Sequence, residues 1–396
     1  MIKNDTNELL TRGVANIYPS RGFVESLLVK DKKLTIYAGF DPTGPTLHIG
    51  HAVALKKLSQ FQKMGHKIIF LIGDFTAMIG DPDKSSARVP LTRKQVLVNL
   101  KNYQKQVSTL ISFTGKNKAE VRFNSKWLGK MNFADVLELA SNMTVQQMME
   151  RDMFSKRMNE GKPIFIHEFM YPLMQGYDSV AMDVDGEIGG NDQTFNMLQG
   201  RNLMKTLKNK EKFVITTKLL EDSTGTKMGK TEGNMVALSD TAEEMYGKVM
   251  SWTDGLIIPG FELCTDVTMK EIEDIAADMA KGVNPRDLKM RLAKEIVTIY
   301  HGVKKAEQAG TSFTNTFQRS EIPTDIPEVK VGGGTLLVDV FLANKLIASK
   351  TEFRRLVDEG AITNLDTDKK IDSHTAVAVS AVYRIGKKRF CKIKID

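Results

Sequence analysis

The chain has 396 residues, of which 41% are hydrophobic, so it can bury a large core shared between two or three domains. Its formal net charge of +8 favours a polyanionic partner, although a basic surface that serves only solubility is the alternative. The two cysteines, Cys264 and Cys391, stand far apart, which excludes a disulfide framework and matches no metal-ligand spacing.

The N-terminal segment, Met1 to Leu10, is interrupted by charged residues and lacks the apolar core of a signal peptide. Further along, no apolar run approaches the roughly 20 residues of a membrane-spanning helix, and the best candidate is only Ile68 to Ile72. We therefore expect a cytoplasmic protein that does not cross a membrane.

The first regular pattern is a strand, a helix and a second strand. Leu34 to Ala38 and Ile68 to Ile72 are short apolar runs rich in β-branched residues, with a helical pattern between them. Later strand candidates at Glu120 to Asn124 and Lys212 to Thr217 alternate with helices such as Asp192 to Leu207. This alternation predicts a Rossmann-like α/β fold, a doubly wound parallel sheet whose ligands bind at the carboxyl ends of the strands.

The patterns also suggest how the chain divides into domains. Residues 1–239 form the predicted α/β domain, and residues 240–320 show helical patterns with little strand character. Residues 321–334 contain prolines and three consecutive glycines, a composition that predicts a linker. Residues 335–396 form a third, α+β unit.

Helical and strand patterns follow one another in this third unit. Leu336 and Ile347 lie on one predicted helical stripe, Ser349 and Glu352 form a capping box that starts a second helix, and an alternating strand surrounds Cys391. The unit has 12 Lys and Arg against 8 Asp and Glu, and so carries half of the net charge. A solvated surface is one explanation. We favour contacts with nucleic-acid phosphates, made by Arg354, Arg355, Lys387, Lys388 and Arg389.

The main chemical signal stands where the first strand leads into the first helix of the α/β domain, between Tyr37 and His51. Phosphates bind at such helix starts. Gly50 would let a nucleotide approach the backbone, and His48 and His51 are three residues apart and therefore project from one face. A metal pair or two core histidines are the alternatives, but no third ligand follows at a usual spacing, so we expect no protein-bound metal.

A second basic element is the loop Thr226 to Thr231, which contains two lysines between glycines. It is not a Walker loop, because three residues separate Gly225 from Gly229 where that pattern needs four. An ordinary basic surface loop is the alternative. Two lysines three residues apart are suited to clamp a triphosphate.

The His48 to His51 signature, followed about 180 residues later by the lysine loop, resembles the class I aminoacyl-tRNA synthetases. Nucleotidyltransferases that make small adenylated cofactors share such a tetrapeptide, but they lack the helical and basic C-terminal units. Two further segments, Tyr171 to Asp178 and Ile188 to Gln193, resemble the tyrosine subgroup of the class. The resemblance covers essentially the whole chain.

The resemblance implies a role for individual residues. Tyrosine would be bound by five of them: Tyr37 and Asp178 at its hydroxyl group, and Asp81, Tyr171 and Gln175 at its ammonium group. ATP would be surrounded by Gly39, Asp41, Gly50, Asp192, Gln193 and Lys230. The implied catalytic residues are Thr43, His48, His51, Lys227, Lys230 and Thr231. Helical packing is the alternative for Tyr171 and Gln175, but a pure core would fill that helix face with Leu or Val.

The resemblance also implies the reaction and the partners. The tyrosine carboxylate would attack the α-phosphate of ATP, which is bound with Mg²⁺, and the tyrosyl group would then pass to the 3′ end of tRNA(Tyr). Residues 240–320 would face the anticodon, the C-terminal unit would be a ribosomal-protein-like RNA-binding domain of bacterial type, and an insertion at about 132–182 would form a homodimer interface. A tryptophan-specific sibling and a non-catalytic RNA-binding paralogue are the rival interpretations.

The sequence departs from the common family pattern at three positions. Gly229 and Thr231 replace the two serines of the usual lysine loop, although both lysines remain. Glu187 stands where many relatives have glutamine.

Overall fold

The structure is a computed structural model that describes residues 2–30, 32–82, 90–221, 225, 235–318, 326–367, 369–386 and 389–395. The chain divides into two compact units, residues 1–306 and 307–396, each of which is described by itself. The division thus falls after residue 306, whereas the sequence patterns placed boundaries after residues 239 and 320.

A six-stranded sheet forms the centre of the described part of the first unit. Its strands are β1 Val14–Tyr18, β2 Thr35–Phe40, β3 Lys67–Ile72, β4 Glu120–Phe123, β5 Gly186–Gly190 and β6 Phe213–Thr217. Their order is β1-β6-β5-β2-β3-β4, and every neighbouring pair is parallel except β1 with β6. The predicted parallel α/β sheet is confirmed, and the antiparallel edge strand β1 is an addition to it.

Fifteen helices accompany this sheet in the described part of the unit. They are α1 Ile2–Thr11, α2 Arg21–Leu28, α3 Ile49–Lys63, α4 Arg93–Leu100, α5 Tyr103–Val107, α6 Ser125–Leu128, α7 Phe133–Ala140, α8 Val145–Met149, α9 Asp152–Asn159, α10 Ile166–Met182, α11 Thr194–Lys208, α12 Ala242–Met250, α13 Ile257–Cys264, α14 Met269–Ala280 and α15 Pro285–His301. Short 3₁₀ helices occur at Thr76–Met78, Asn191–Gln193 and Asp254–Leu256. Among the described helices, none is long and apolar enough to cross a membrane.

Strand β2 shows that helices cover both faces of the sheet. Side chains alternate along a strand, so Tyr37 and Phe40 point to opposite faces. Phe40 contacts the ring of His51 in α3, with 5.8 Å between ring centroids. Tyr37 lies in an apolar cluster with Met182 at the end of α10. The sheet is therefore doubly wound, as predicted.

Helix α10 and helix α11 pack closely at Gly176. A Cβ atom added there would lie 2.9 Å from Leu203 Cδ1 and 3.1 Å from the backbone nitrogen of Gly200. Only glycine permits this separation, because real Cβ atoms do not approach other atoms so closely. The close packing fixes the position of α10, which carries three of the predicted tyrosine-binding residues.

The described part of the second unit contains a five-stranded sheet and two helices, and α16 Val303–Gln318 spans the division between the units. The strands are β7 Glu328–Val331, β8 Ile362–Asn364, β9 Lys369–Lys370, β10 Ala381–Ile385 and β11 Arg389–Ile395, in the order β7-β11-β10-β8-β9. The helices are α17 Leu337–Ala343 and α18 Lys350–Asp358. The α+β architecture agrees with the prediction.

Two predictions for this unit need correction. Residues 328–331, which the sequence assigned to a linker, form β7 and pair in parallel with β11. The first helix ends at Ala343, so Ile347 is buried in the core but lies outside the helix. The second helix begins as predicted, because the Ser349 side chain accepts a hydrogen bond from the Glu352 backbone nitrogen at 3.1 Å.

Candidate active site

Asp41 lies directly after β2, at the carboxyl edge of the sheet. One carboxylate oxygen accepts a hydrogen bond from Thr76 Oγ1 at 2.7 Å, and the other accepts one from Tyr171 Oη at 2.8 Å. Gly73, just after β3, leaves space for this carboxylate, since a Cβ atom there would lie 1.9 Å from Asp41 Oδ1. The structure therefore brings together a predicted ATP residue, Asp41, and a predicted tyrosine residue, Tyr171.

The histidine signature forms the start of α3. His48 is the N-cap residue, and its backbone nitrogen donates to His51 Nδ1 at 3.1 Å. The two rings stack with 3.7 Å between their centroids. A Cβ atom at Gly50 would lie 3.0 Å from His48 Nδ1, so glycine leaves room for this ring. The signature thus presents two adjacent imidazoles beside a helix N-terminus, where anions bind.

The segment that follows the lysine loop returns to this histidine signature. The backbone nitrogen of Ile49 donates to Val236 O at 2.9 Å, and that of Leu238 donates to Leu47 O at the same distance. Residues 226–234 lie outside the described residues, and with them the predicted Lys227, Lys230 and Thr231. The residues that follow the lysine loop, Val236 and Leu238, are therefore held by backbone hydrogen bonds beside the predicted ATP site.

Asp178 of α10 and Tyr37 of β2 are both buried polar side chains. Asp178 accepts hydrogen bonds from Trp127 Nε1 at 2.7 Å and from Asn124 Nδ2 at 3.2 Å. Tyr37 Oη lies 2.9 Å from Ser179 Oγ. Burial raises the pKa of the Asp178 carboxyl and that of the Tyr37 phenol well above their usual ranges.

The three residues predicted to hold an ammonium group bind different partners. Asp81 pairs with Arg151 at 2.8 Å and accepts a hydrogen bond from Gln193 Nε2 at 3.0 Å. Tyr171 donates to Asp41, as described above, and Gln175 Nε2 donates to Glu187 at 3.2 Å. All three side chains take part in polar contacts, and Tyr171 also packs in an apolar cluster with Leu128 and Met174.

Other predicted residues are more open to solvent. Gly39, Thr43 and Asp192 are exposed, and Asp192 belongs to the 3₁₀ helix that follows β5. Two of the predicted ATP residues, Gly39 and Asp192, thus lie towards solvent, whereas the predicted residues for the tyrosine hydroxyl are buried. Such a division suits a small buried substrate group beside a larger, more accessible nucleotide.

Sequence patterns missed several polar residues of this region. Asn124 directly follows β4, and the rule that sites form at the carboxyl ends of strands could have identified it. Ser179 adjoins Asp178 and could have been noticed on that ground. Trp127 and Lys212 carry no comparable local signal, because only the tertiary fold brings them to the pocket.

Metal ligation has little support in the part of the chain that is described. Within those ranges, no group of three or more His, Cys, Asp or Glu side chains could hold an ion. His48 and His51 contact each other in the stacked arrangement given above.

Comparison with known proteins identifies relatives along nearly the whole chain. A profile of the tRNA synthetases class I (W and Y) matches residues 29–318. The tyrosine–tRNA ligase of Carboxydothermus hydrogenoformans is 44% identical, with 98% of this chain and 97% of the relative covered. The tyrosine–tRNA ligase 2 of Clostridium acetobutylicum is 43% identical, with 98% of each chain covered.

Solved structures give the same result for the fold. A C-terminally truncated mitochondrial tyrosyl-tRNA synthetase from Coccidioides posadasii has a TM-score of 0.62 and 27% identity, covering 78% of this chain and 91% of that chain. The tyrosyl-tRNA synthetase of Archaeoglobus fulgidus, solved in complex with L-tyrosine, has a TM-score of 0.62, and the match covers 78% of this chain and all of that chain. Its sequence identity is 21%, so this likeness shows the fold alone.

The chain belongs to the class I tRNA synthetases, in the group of the tryptophan and tyrosine enzymes. Within this group it is a member of the tyrosine–tRNA ligase family, whose curated members match it over nearly its full length. The resemblance found in the sequence motifs is thereby confirmed.

Proposed function

We propose that this chain activates L-tyrosine with ATP to form tyrosyl-adenylate, and then transfers the tyrosyl group to the 3′ end of tRNA(Tyr). Membership in the tyrosine–tRNA ligase family supports this activity. The structural observation that carries the choice of substrate is the burial of two polar side chains, Tyr37 and Asp178. Hydroxyl and carboxyl groups in a dry pocket need a polar substrate group, which tyrosine has and phenylalanine lacks.

The opposite end of the substrate would be held by Asp81, Tyr171 and Gln175. An ammonium group removed from water needs carboxylate or other oxygen acceptors. Asp81 is available for this role only if its contacts with Arg151 and Gln193 rearrange or are shared, because both of its oxygens already accept hydrogen bonds. Each carboxylate oxygen has about two acceptor sites, and Oδ1 already accepts from both Arg151 and Asn196, so the ammonium group would share Oδ2 with Gln193.

Adenylate formation needs no general base, since the tyrosine carboxylate is ionised at pH 7. This chain would position the reactants and supply positive charge. Thr43 and His48 would lie on one side of the α-phosphate, and Lys227 and Lys230 would contact the phosphates from the other side. Gly39, Asp41, Gly50, Asp192 and Gln193 would surround the nucleotide, and His51 and Thr231 would support it. Mg²⁺ would enter with the ATP phosphates and neutralise part of their charge.

The C-terminal unit is proposed to bind tRNA. Arg354 and Arg355 are exposed on α18, and Arg355 forms a solvent-exposed pair with Glu359 at 2.9 Å. Arg389 is more constrained, because it pairs with Glu352 at 2.9 Å and also donates to the backbone oxygen of Leu346. Lys387 and Lys388 lie outside the described residues. Exposed cations of this kind bind phosphates through counterion release.

A homodimer is the proposed assembly, with residues 132–182 at the interface. Six large apolar side chains of this segment are exposed: Phe133 (77%), Leu137 (56%), Val145 (64%), Met158 (58%), Phe165 (49%) and Ile166 (82%). Phe133 and Leu137 are four residues apart in α7 and therefore share one face. Exposed apolar surface of this kind is typical of interaction sites. Cytoplasmic location, where ATP and tRNA are available, is part of the same proposal.

Tyrosine-dependent charging of tRNA tests this function. We expect the full chain, with ATP, Mg²⁺ and labelled tyrosine, to convert bacterial bulk tRNA into an alkali-labile tyrosyl ester. A chain ending at residue 325, which lacks β7 to β11, should retain adenylate formation but charge tRNA much more slowly and with a weaker salt dependence. Absence of label on tRNA with the full chain contradicts the function, and undiminished charging by the truncated chain contradicts the role of the C-terminal unit.

A further inference from the structure

A buried ion pair lies beneath the proposed tyrosine pocket. Glu187 of β5 and Lys212, which immediately precedes β6, are in direct contact, and their side chains are 3% and 0% exposed. Removing two charges from water costs several kcal/mol per ion, and well-packed apolar residues often stabilise such a position equally well. Stability alone therefore does not explain why two adjacent strands carry a pair of opposite charges here.

The surroundings of Lys212 are built to hold its ammonium group. Besides Glu187, the Nζ atom donates to Ser179 Oγ at 2.9 Å and to the backbone oxygen of Met197 at 3.2 Å. All three donors of the ammonium group are thereby used. Gly200 leaves the necessary space, since a Cβ atom there would lie 2.6 Å from Nζ.

Glu187 connects this ion pair to the pocket. Its second oxygen, Oε1, accepts a hydrogen bond from Gln175 Nε2 at 3.2 Å. An ionised carboxylate can only accept hydrogen bonds, so the amide group of Gln175 must turn its nitrogen towards Glu187. The carbonyl oxygen of the same amide then lies on its other side. Lys212 contacts the other oxygen, Oε2, and so holds the Glu187 carboxylate in place against this amide.

We propose that Glu187 and Lys212 are positioning residues that fix the Gln175 amide with its carbonyl oxygen towards the ammonium group of tyrosine. Neither residue touches the substrate in this account, which rests on the proposed function. A neutral glutamine at position 187, as in many relatives, can donate as well as accept, and would leave the amide of Gln175 free to take either orientation. The charged pair removes that ambiguity in this chain.

The test compares two tyrosine analogues as competitive inhibitors of tyrosine-dependent pyrophosphate exchange. Tyramine has the ammonium group, and 3-(4-hydroxyphenyl)propionate lacks it. In the Glu187→Gln, Lys212→Met double variant, both charges are removed while the volumes are nearly kept. If the two orientations of the Gln175 amide were equally populated, only half of the molecules would present the carbonyl oxygen to the ammonium group. The inhibition constant of tyramine should therefore rise about twofold. That of the propionate should stay the same.

A larger effect is expected from the reversed pair, Glu187→Lys with Lys212→Glu. A lysine at position 187 can only donate, so the carbonyl oxygen of Gln175 would turn to it and away from the substrate. Tyramine inhibition should then weaken about tenfold or more, which is the loss expected for one hydrogen bond to a charged group. If the reversed pair does not fold, the neutral double variant decides alone.

Glu211→Gln is the matched control, because Glu211 adjoins Lys212 but forms a partly exposed pair with Arg201. It should change neither inhibition constant. Equal rises for both analogues in the neutral variant would overturn the proposal, since they would indicate general damage to the pocket, and so would unchanged constants for both. If the parent chain shows no tyrosine-dependent exchange, the proposed function fails instead.

Discussion

Asp178 shows how one buried side chain could recognise a hydroxyl group. Trp127 and Asn124 each donate to one of its two carboxylate oxygens, which leaves acceptor capacity on both. Tyr37 brings a second polar group from β2, and its hydroxyl already contacts Ser179. A substrate without a hydroxyl group would leave this remaining acceptor capacity unused in a buried site, and the lost hydrogen bond gives the pocket its selectivity.

Replacing Tyr37 by phenylalanine tests this selectivity. The variant removes one buried hydroxyl, and we expect the ratio of kcat/KM for tyrosine over phenylalanine to fall about fivefold, since one hydrogen bond contributes roughly 1 kcal/mol. Pyrophosphate exchange with each amino acid measures the ratio. Tyr383→Phe is a matched control, because Tyr383 is equally buried but belongs to the C-terminal unit. An unchanged ratio in an active Tyr37→Phe variant would assign hydroxyl recognition to other residues.

Residues of one helix face could be placed from the sequence, whereas their partners could not. Tyr171, Gln175 and Asp178 follow one another at helical spacing, and the structure places all three on α10. Their hydrogen-bond partners Asp41, Glu187 and Trp127 come from other segments that the sheet brings together. Spacing along the chain contains no information about such contacts.

Helix α3 illustrates how one element serves both the site and the core. Its N-terminus carries the histidine signature, and its buried face includes Lys57, whose ammonium group donates to the backbone oxygen of Leu9 at 2.6 Å. Burial is the main cause that lowers the pKa of Lys57 to about 7, and the nearby charge of Arg12 acts in the same direction. The charged form of Lys57 is therefore costly in the folded state.

The free energy of unfolding should consequently depend on pH through Lys57. Between pH 7 and the unfolded pKa of about 10.4, the unfolded chain binds more protons at this residue, so stability rises with pH. From pH 7 to pH 9 the parent should gain about 2 kcal/mol relative to Lys57→Met, in which this titration is absent. Urea unfolding of both proteins at the two pH values measures the difference. Parallel pH profiles would contradict the lowered pKa.

The sequence predicts a strand correctly where the strand has a local apolar pattern. The prediction fails where pairing with a distant strand is what forms the strand. The apolar runs of β2 and β3 are visible in the sequence because both faces of those strands are covered. Strand β7 follows prolines and precedes three glycines, and its four residues are ordered by pairing with β11, which lies about 60 residues further along the chain. Composition alone therefore suggested a linker.

At the scale of the whole molecule, the exposed apolar residues of the insertion predict a dimer. The double variant Phe133→Asp, Ile166→Asp places charges on that surface, so the assembly should dissociate into single chains of 44.3 kDa. Light scattering coupled to size-exclusion chromatography measures the mass. Val29→Asp is the control, since Val29 is 85% exposed but lies outside the insertion. A parent protein that is already monomeric would contradict the interface.

The central claim is that this chain activates tyrosine and no other standard amino acid. The direct measurement is exchange of labelled pyrophosphate into ATP, with each of the twenty amino acids tested in turn. We expect rapid exchange with L-tyrosine and only background exchange with phenylalanine and tryptophan, because Tyr37 and Asp178 favour a substrate with a hydroxyl group. Exchange that depends on tryptophan, or no exchange with any amino acid, would contradict it.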